Sequence, residues 1–423
     1  MRPFTFMRAV GGLAMKSARI ACGLVLAAGA LLGAGAALAS GFVDGQPFTT
    51  SRDDWDVACD NTLTCRAAGY QAMDEPGTFP VSLRITQAGG KDAPIAMTLK
   101  FARGNEQGQL LMSPAGEKHR FQVGAMDIGS VDLRDLKADS EGLVEFTPEQ
   151  VRAVLPVMLE ISRVWSKRPS AKVRAALPEL FKGGPVASVW VGDNDGDRAP
   201  DGKLSLAGLN EAMGTFIGGP GDCHAIPGAR VRYGRGGEIA SCVLPPLPLP
   251  MPVVKVAAPV HTRPADAALA KRIVALLNRS RKSWERFQWA CTDVLNLDAE
   301  NIKVNRLTDR RILLSWRCPA LSPDQLLDLN WIANDRPPYA PRVIEAVGQF
   351  DASTMSIEFF SGRSGSDSGD RRTWHFNGQK FVLTHLSFGG PSRGFPGGAW
   401  VLPQYVARVV PAKPANSTTS KKP

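Results

Sequence analysis

Five histidines and seven cysteines in a chain of 423 residues leave little material for a metal centre or a thiol catalyst. The histidines stand at 119, 224, 261, 375 and 385, too scattered to form an obvious ligand cluster, and no His-Glu-x-x-His occurs. No two cysteines lie two residues apart, so the usual redox dithiol and the paired spacings of a zinc site are both missing. No phosphate-cradling glycine loop precedes a helix, and Gly234, Gly236 and Gly237 read as a hairpin turn. A Gly-x-Ser-x-Gly match at Gly390 to Gly394 lacks the context of a nucleophile elbow. Phe395-Pro396-Gly397-Gly398 cannot open a helix, and no Asp, Glu or His follows Ser392 to complete a triad. Catalytic residues are therefore not assigned. Past residue 39 no stretch approaches the roughly 18 apolar residues that a spanning helix needs, so no transmembrane anchor is expected after the leader.

The leader itself is clear. Arg2, Arg8, Lys16 and Arg19 precede or border an apolar run from Ile20 to Ala37, and Ala37-Leu38-Ala39 has the small-x-small pattern of a signal-peptidase site. Residues 1–39 are expected to be a signal peptide cleaved after Ala39. Met15, directly before Lys16, offers a second start. Cys22 opens the apolar run instead of closing it, so a lipid-modified cysteine is not expected. Cleavage leaves six cysteines, an even number that an oxidising compartment would pair. It also lowers the formal charge from +10 to +6, because the leader holds those four cations and no acid. Such a mild, diffuse positive charge tolerates anionic envelope partners such as lipopolysaccharide, peptidoglycan carboxylates or phospholipid heads, and gives no argument for nucleic acid. The expected location is the periplasm.

Proline divides the mature chain. Residues 244–264, beginning Leu244-Pro245-Pro246-Leu247-Pro248, can neither complete a helix ladder nor pair centrally in a sheet, and are expected to be an extended linker. Residues 40–243 form an expected N-terminal α+β domain. Short alternating strands are read at 55–59, 81–85 and 95–101, a helix at 148–164 after Thr147, and a second helix at 205–216 capped by Ser205. Residues 265–410 form an expected mostly β domain with a leading helix over 265–284 and a hairpin closed tightly at Asn377-Gly378, which places His375 opposite Lys380. Residues 411–423 read as a disordered basic tail. The fold class is α+β, with two mainly antiparallel-sheet domains.

Cys59 and Cys65 flank a turn-forming stretch and are expected to bond. Cys223 with Cys242 and Cys291 with Cys318 follow as the local pairings, although sequence alone does not choose among the connectivities. The stretch Gly192 to Gly202 carries Asp193, Asp195, Asp197 and Asp201, and carboxylates at alternate positions are how a calcium loop presents oxygen ligands. From Asp193, however, the sixth position is Arg198 and the twelfth Leu204; from Asp197, Ala199 and Gly208 fail at the third and twelfth. Neither register is an EF-hand, and Asp, Asn, Gly and Pro are also what an exposed turn uses. A calcium site at these four aspartates is the alternative reading; otherwise no cofactor is expected.

Asp54-Trp55-Asp56-Val57-Ala58-Cys59-Asp60-Asn61, then Cys65-Arg66-Ala67-Ala68-Gly69-Tyr70, then Gly202 to Gly208 and the Trp374 to Phe381 hairpin resemble the exported proteobacterial family named domain of unknown function 1176. The resemblance implies paired cysteines and no assigned activity. The Trp-x-x-x-Cys opening is also similar to the invasion-associated locus B proteins. Relatives in the first family tend to carry a cysteine after Gly362-Arg363 and another before Arg393-Gly394. Here Ser364 to Gly369 has none and Ser392 stands at the second place, so that late disulfide is missing. The leading expectation is a non-enzymatic, disulfide-stabilised protein that binds an envelope component or another protein. The alternatives are a metal-dependent hydrolase of an envelope polymer using the Asp-rich loop, and a periplasmic inhibitor protein.

Overall fold

Period-two alternation after Thr49 folds into antiparallel strands. The computed structural model describes residues 48–71, 79–89, 93–104, 110–125, 129–167, 184–192, 199–214, 230–233, 239–243, 250–283, 285–287, 291, 297–318, 327–362, 369–395 and 398–412. Strands β1 (Phe48–Arg52), β2 (Trp55–Cys59), β3 (Cys65–Tyr70), β4 (Val81–Gln87) and β5 (Ile95–Gly104) pair in chain order. Then β6 (Leu110–Met112) pairs with the end of β5, β7 (Lys118–Ala125) and β8 (Gly129–Lys137) make a hairpin, and β9 (Leu143–Glu145) returns to β5 at Thr98–Lys100. Val81, Leu83 and Ile85 alternate on β4 with Ser82, Arg84 and Thr86, and Met97, Leu99 and Phe101 on β5 with Thr98 and Lys100. The first sheet thus has an apolar inner face and a mixed outer one.

Helix α1 (Pro148–Ser166) covers the inner face. The Thr147 hydroxyl accepts from the Gln150 N–H and the Gln150 side chain accepts from the Thr147 N–H, a reciprocal cap that satisfies two donors at the helix start. Val151, Val154, Leu155, Met158 and Ile161 are its buried stripe, while Pro156 lies on the exposed face, where water can replace the bond it omits. Strands β10 (Val186–Val191) and β11 (Gly202–Ser205) join the β7–β8 hairpin in a four-stranded sheet, and α2 (Leu209–Gly214) follows. The expected helix at 205–216 begins later because Ser205 belongs to β11. Its hydroxyl accepts from the Ala207 N–H, and Gly208, at φ +84° with the Arg52 carbonyl 2.1 Å from where a Cβ would stand, makes the turn into α2. This first core draws on residues 55–213.

Strands β12 (Arg230–Tyr233) and β13 (Ile239–Val243) pair with one another; residues 234–238 between them lie outside the described residues. Of the proline-rich stretch, 244–249 lie outside the described residues, and β14 (Val253–Lys255) is paired in parallel with the last strand, β24 (Arg408–Val410). Helix α3 (Ala268–Arg279) is shorter than 265–284 because 3₁₀ turns flank it at Pro264–Ala267 and Arg281–Ser283. It packs Leu269, Ile273 and Leu277 against β15 (Ile302–Arg306), β16 (Arg311–Arg317), β17 (Asp328–Asn334) and β18 (Arg342–Val343). A five-stranded sheet of β19 (Gln349–Asp351), β20 (Ser356–Phe360), β21 (Arg371–Phe376), β22 (Phe381–Gly389) and β23 (Val401–Val406) completes this second core with Ile357, Trp374 and Phe376. The β21–β22 connection is a four-residue turn, not a two-residue one. The Asn377 side chain accepts from the Gln379 and Lys380 N–H groups, which sets His375 opposite Val382 instead of Lys380.

Buried in this half is an ionic triad. The Arg306 guanidinium, 2% exposed, donates to both Asp266 oxygens at 2.9 and 2.6 Å and to Asp335 at 3.1 Å. Arg306, which also donates to the Thr308 and Asp309 carbonyls, thereby stitches the turn before α3 to β15 and to the end of β17. The Arg306 bonds and the Arg263 N–H hold the Asp266 carboxyl down at about 2.

The described residues, all from 48 onward, belong to one compact unit. The sheets are almost wholly antiparallel and the helices few, an α+β fold. Among the described residues no helix is long and apolar enough to cross a membrane.

Candidate functional site

The outer face of the first sheet is covered by the chain's own last strands. Ala58, Ala68, Tyr70 and Ala102 from the sheet meet Phe395, Ala399, Trp400 and Leu402 from an arm comprising residues 389–407. Small residues on β2, β3 and β5 let the arm approach closely, and aromatic residues on the arm fill the space.

The β2–β3 hairpin supplies most of the fastening. Cys59 and Cys65 are register partners at its closed end and are bonded to each other. Between them the Asp60 carboxylate accepts from the Thr62 N–H at 2.8 Å, the Thr62 hydroxyl at 2.6 Å and, through its other oxygen, Arg66 at 2.9 Å. So braced, Asn61 projects its amide to the arm, where Val406 N–H donates to Oδ1 at 2.7 Å and Nδ2 donates to the Val406 carbonyl at 3.1 Å. Trp55 is fully buried over Gly69, with its indole N–H donating to the Ser205 carbonyl, so this position tolerates no Cβ.

At the other end of the arm lies a buried acidic pair. The Ser51 hydroxyl donates to Asp56 Oδ1 at 2.5 Å. Asp56 Oδ2 and Tyr70 Oη sit beside one another under Gly390, close enough to couple, and neither makes a well-formed hydrogen bond. A Cβ on Gly390 would stand 2.0 Å from Tyr70 Oη, so only glycine closes the arm here. Burial raises the Asp56 carboxyl above its ordinary range against the opposing pull of Ser51, Tyr70 and Arg393; burial and then Asp56 raise the Tyr70 phenol. Arg393 donates to Asp54 at 2.9 Å and completes the fastening.

Between these two ends, two cations share one indole. Arg84 lies 4.5 Å and Lys100 5.7 Å from the centroid of Trp400. The Trp400 N–H donates to Ser82 at 2.8 Å, which fixes the ring, and Lys100 donates to the Ala399 carbonyl at 2.9 Å. Thr98 donates to the nearby Glu145 carboxylate at 3.0 Å, and the Arg84 Nε–H is buried without an acceptor. Burial lowers both Arg84 and Lys100 from their ordinary values; the Glu145 carboxylate opposes this at Arg84, while the positive charge of Arg66 lowers Arg84 further and that of Arg84 lowers Lys100. Chemically this is a partly buried, electropositive, aromatic-backed cradle.

Of the residues singled out in the sequence, Cys291 and Cys318 are bonded and buried in the second core. Cys223 lies outside the described residues, and the Cys223–Cys242 pairing with it. Asp193, Asp195 and Asp197 also lie outside them. Asp201 is described: its Oδ2 accepts from the Val191 N–H at 2.9 Å, and its carbonyl accepts from Phe79 at 2.7 Å, so it ties β10 to the start of β11. Among the described residues no three His, Cys, Asp or Glu side chains come together as a metal site. Ser392 stands in the arm's turn, where its carbonyl accepts from Phe395. A serine–histidine arrangement not read from the sequence does occur among the described residues, with Ser113 Oγ 2.9 Å from His119 Nε2 and Nδ1 held by the Glu117 carbonyl. Both side chains are buried, at 3% and 1% exposure, and burial lowers His119, which marks a neutral structural pair with no open approach for a substrate.

The Arg84, Lys100 and Trp400 cluster was also not anticipated. Its only sequence signal is the polar phase of two strands, Ser82-x-Arg84 and Thr98-x-Lys100, which ordinarily marks a solvated face.

The comparisons with known proteins bear on this geometry. No curated protein and no solved structure matches the chain. A family model described as protein of unknown function (DUF1176) matches residues 49–180 and 227–407, a span that takes in the β2–β3 hairpin and the arm it fastens. The chain belongs to the DUF1176 family.

Proposed function

We propose that this chain is an exported, non-enzymatic binding protein of the periplasm that engages a component of the cell envelope, either a polymer or a protein. The observation that carries the reading is the pair of buried disulfides, Cys59–Cys65 and Cys291–Cys318, in a chain headed by a leader-like sequence. Bonds of this kind persist where thiols are oxidised and are rare in a reducing cytosol. Binding is favoured over catalysis because several polar groups of the covered face are engaged in holding the arm. Asn61, Asp54 and Ser82 each have a structural partner there.

Metal-dependent hydrolysis through Asp193, Asp195, Asp197 and Asp201 has less support, since the Asp201 carboxylate is already engaged by a backbone amide. An inhibitor of cationic host-type lysozymes has less still, since the mature charge of +6 would repel them.

The test is affinity capture from a cell-envelope extract on immobilised residues 40–423, with residues 411–423 alone as control. Selective enrichment of a polymer or protein on the longer chain supports the reading, and equal recovery on both overturns it.

A further inference from the structure

We propose that Arg84 and Lys100, backed by Trp400, form a binding site for an oxyanion, the phosphate or carboxylate group of an envelope polymer. This rests on the reading of the chain as an envelope-binding protein and adds the site and the ligand chemistry. Three observations converge on it. Two cations on adjacent strands are held against one indole, although like charges so placed repel. Ser82 fixes the indole, Ala399 ties Lys100 to the arm, and the Arg84 guanidinium reaches Thr98 on the neighbouring strand at 3.5 Å. The compensation is incomplete: the nearby Glu145 carboxylate, which also accepts from Thr98, offsets part of the Arg84 charge, but the Arg84 Nε–H is buried with no acceptor. An unpaired N–H of a guanidinium beside an ammonium with donors to spare is the arrangement that an oxyanion completes, with the Arg fork giving direction and the Lys giving charge. Arg66, a further cation near this face, is already paired with Asp60.

The test uses mature residues 40–423 with two probes, polyphosphate for phosphate and polygalacturonate for carboxylate, and neutral dextran as control. The variant Arg84→Met with Lys100→Met is compared with Lys303→Met and Arg342→Met, which removes the same charge from exposed positions far along the chain. The expected result is a salt-dependent affinity for at least one polyanion, reduced tenfold or more in the first variant and less than twofold in the second. Whichever polyanion binds tighter names the source. Equal losses in the two variants assign binding to diffuse charge and overturn the site, as does failure of the wild type to bind either polyanion.

Should the first variant not fold, reductive methylation of the wild type read by mass spectrometry decides the matter. Lys100 is protected by the polyanion and Lys303 is not if the site exists; equal protection overturns it. Capture of an envelope component that the first variant retains would leave the binding reading standing and remove this site alone.

Discussion

The side-chain amide of Asn61 closes both backbone groups of Val406, accepting from its N–H at 2.7 Å and donating to its carbonyl at 3.1 Å across 345 positions of sequence. Asn61→Ala leaves both groups unpaired at the edge of β23 and is expected to cost about 2 kcal/mol. Urea denaturation measures the loss, and hydrogen exchange places it: amides at 400–406 are expected to lose protection before those of α1. Uniform loss across the chain contradicts the role given to Asn61.

The two disulfides are expected to differ in weight. Loop-closure entropy for bridges separated by 6 and 27 residues gives about 2 kcal/mol for Cys59–Cys65 and about 3.5 kcal/mol for Cys291–Cys318. Replacing each pair by serine and comparing denaturation midpoints checks the order. A larger loss from the shorter loop would show that Cys59–Cys65 acts mainly by positioning Asn61.

Both the hairpin and these partners follow from local chemistry that a sequence displays. Cys59-Asp60-Asn61-Thr62-Leu63-Thr64-Cys65 reads directly as a turn between bonded cysteines, and the capped start of α1 is visible in Thr147-Pro148-Glu149-Gln150. The two cores follow from periodicity. The arm does not. Its contacts join residues about 300 or more positions apart, and Trp400, Ala399 and Phe395 carry no local mark that they will cover β4 and β5 rather than their own sheet. The same long range hides the Arg84 and Lys100 cradle. The turn at Asn377-Gly378 departs from the expected two-residue loop for a different reason, since Asn377 spends its side chain on the Gln379 and Lys380 N–H groups and so favours the longer turn.

Acid is expected to weaken the buried triad. The Asp266 carboxyl is held at about 2, below its unfolded value, so its stabilisation is complete above roughly pH 4 and is lost as the pH falls toward 2. The size is about 2 kcal/mol at neutral pH. Stability of the wild type minus that of Asp266→Asn, followed by urea unfolding at several pH values, is expected to be constant above pH 5 and to shrink below pH 4 by about that amount. A difference independent of pH contradicts the assignment.

Asp56 has the opposite sign. Burial raises its folded value above the unfolded one, so the folded state is favoured while the group is protonated and loses that advantage as the pH rises through the folded value. Asp56→Asn keeps an acceptor for Ser51 and removes the charge. Its melting temperature is expected to exceed that of the wild type at pH 8 and to match it below the ordinary aspartate range of about 3.9. A variant less stable than the wild type at pH 8 would show that the ionised carboxylate is needed under the arm.

The most direct test of the account is mass spectrometry of the protein isolated from the envelope fraction of its native host, alkylated without prior reduction. The account predicts a chain beginning at Ser40 with Cys59, Cys65, Cys291 and Cys318 unmodified. An intact leader, or alkyl groups on those four cysteines, would contradict it.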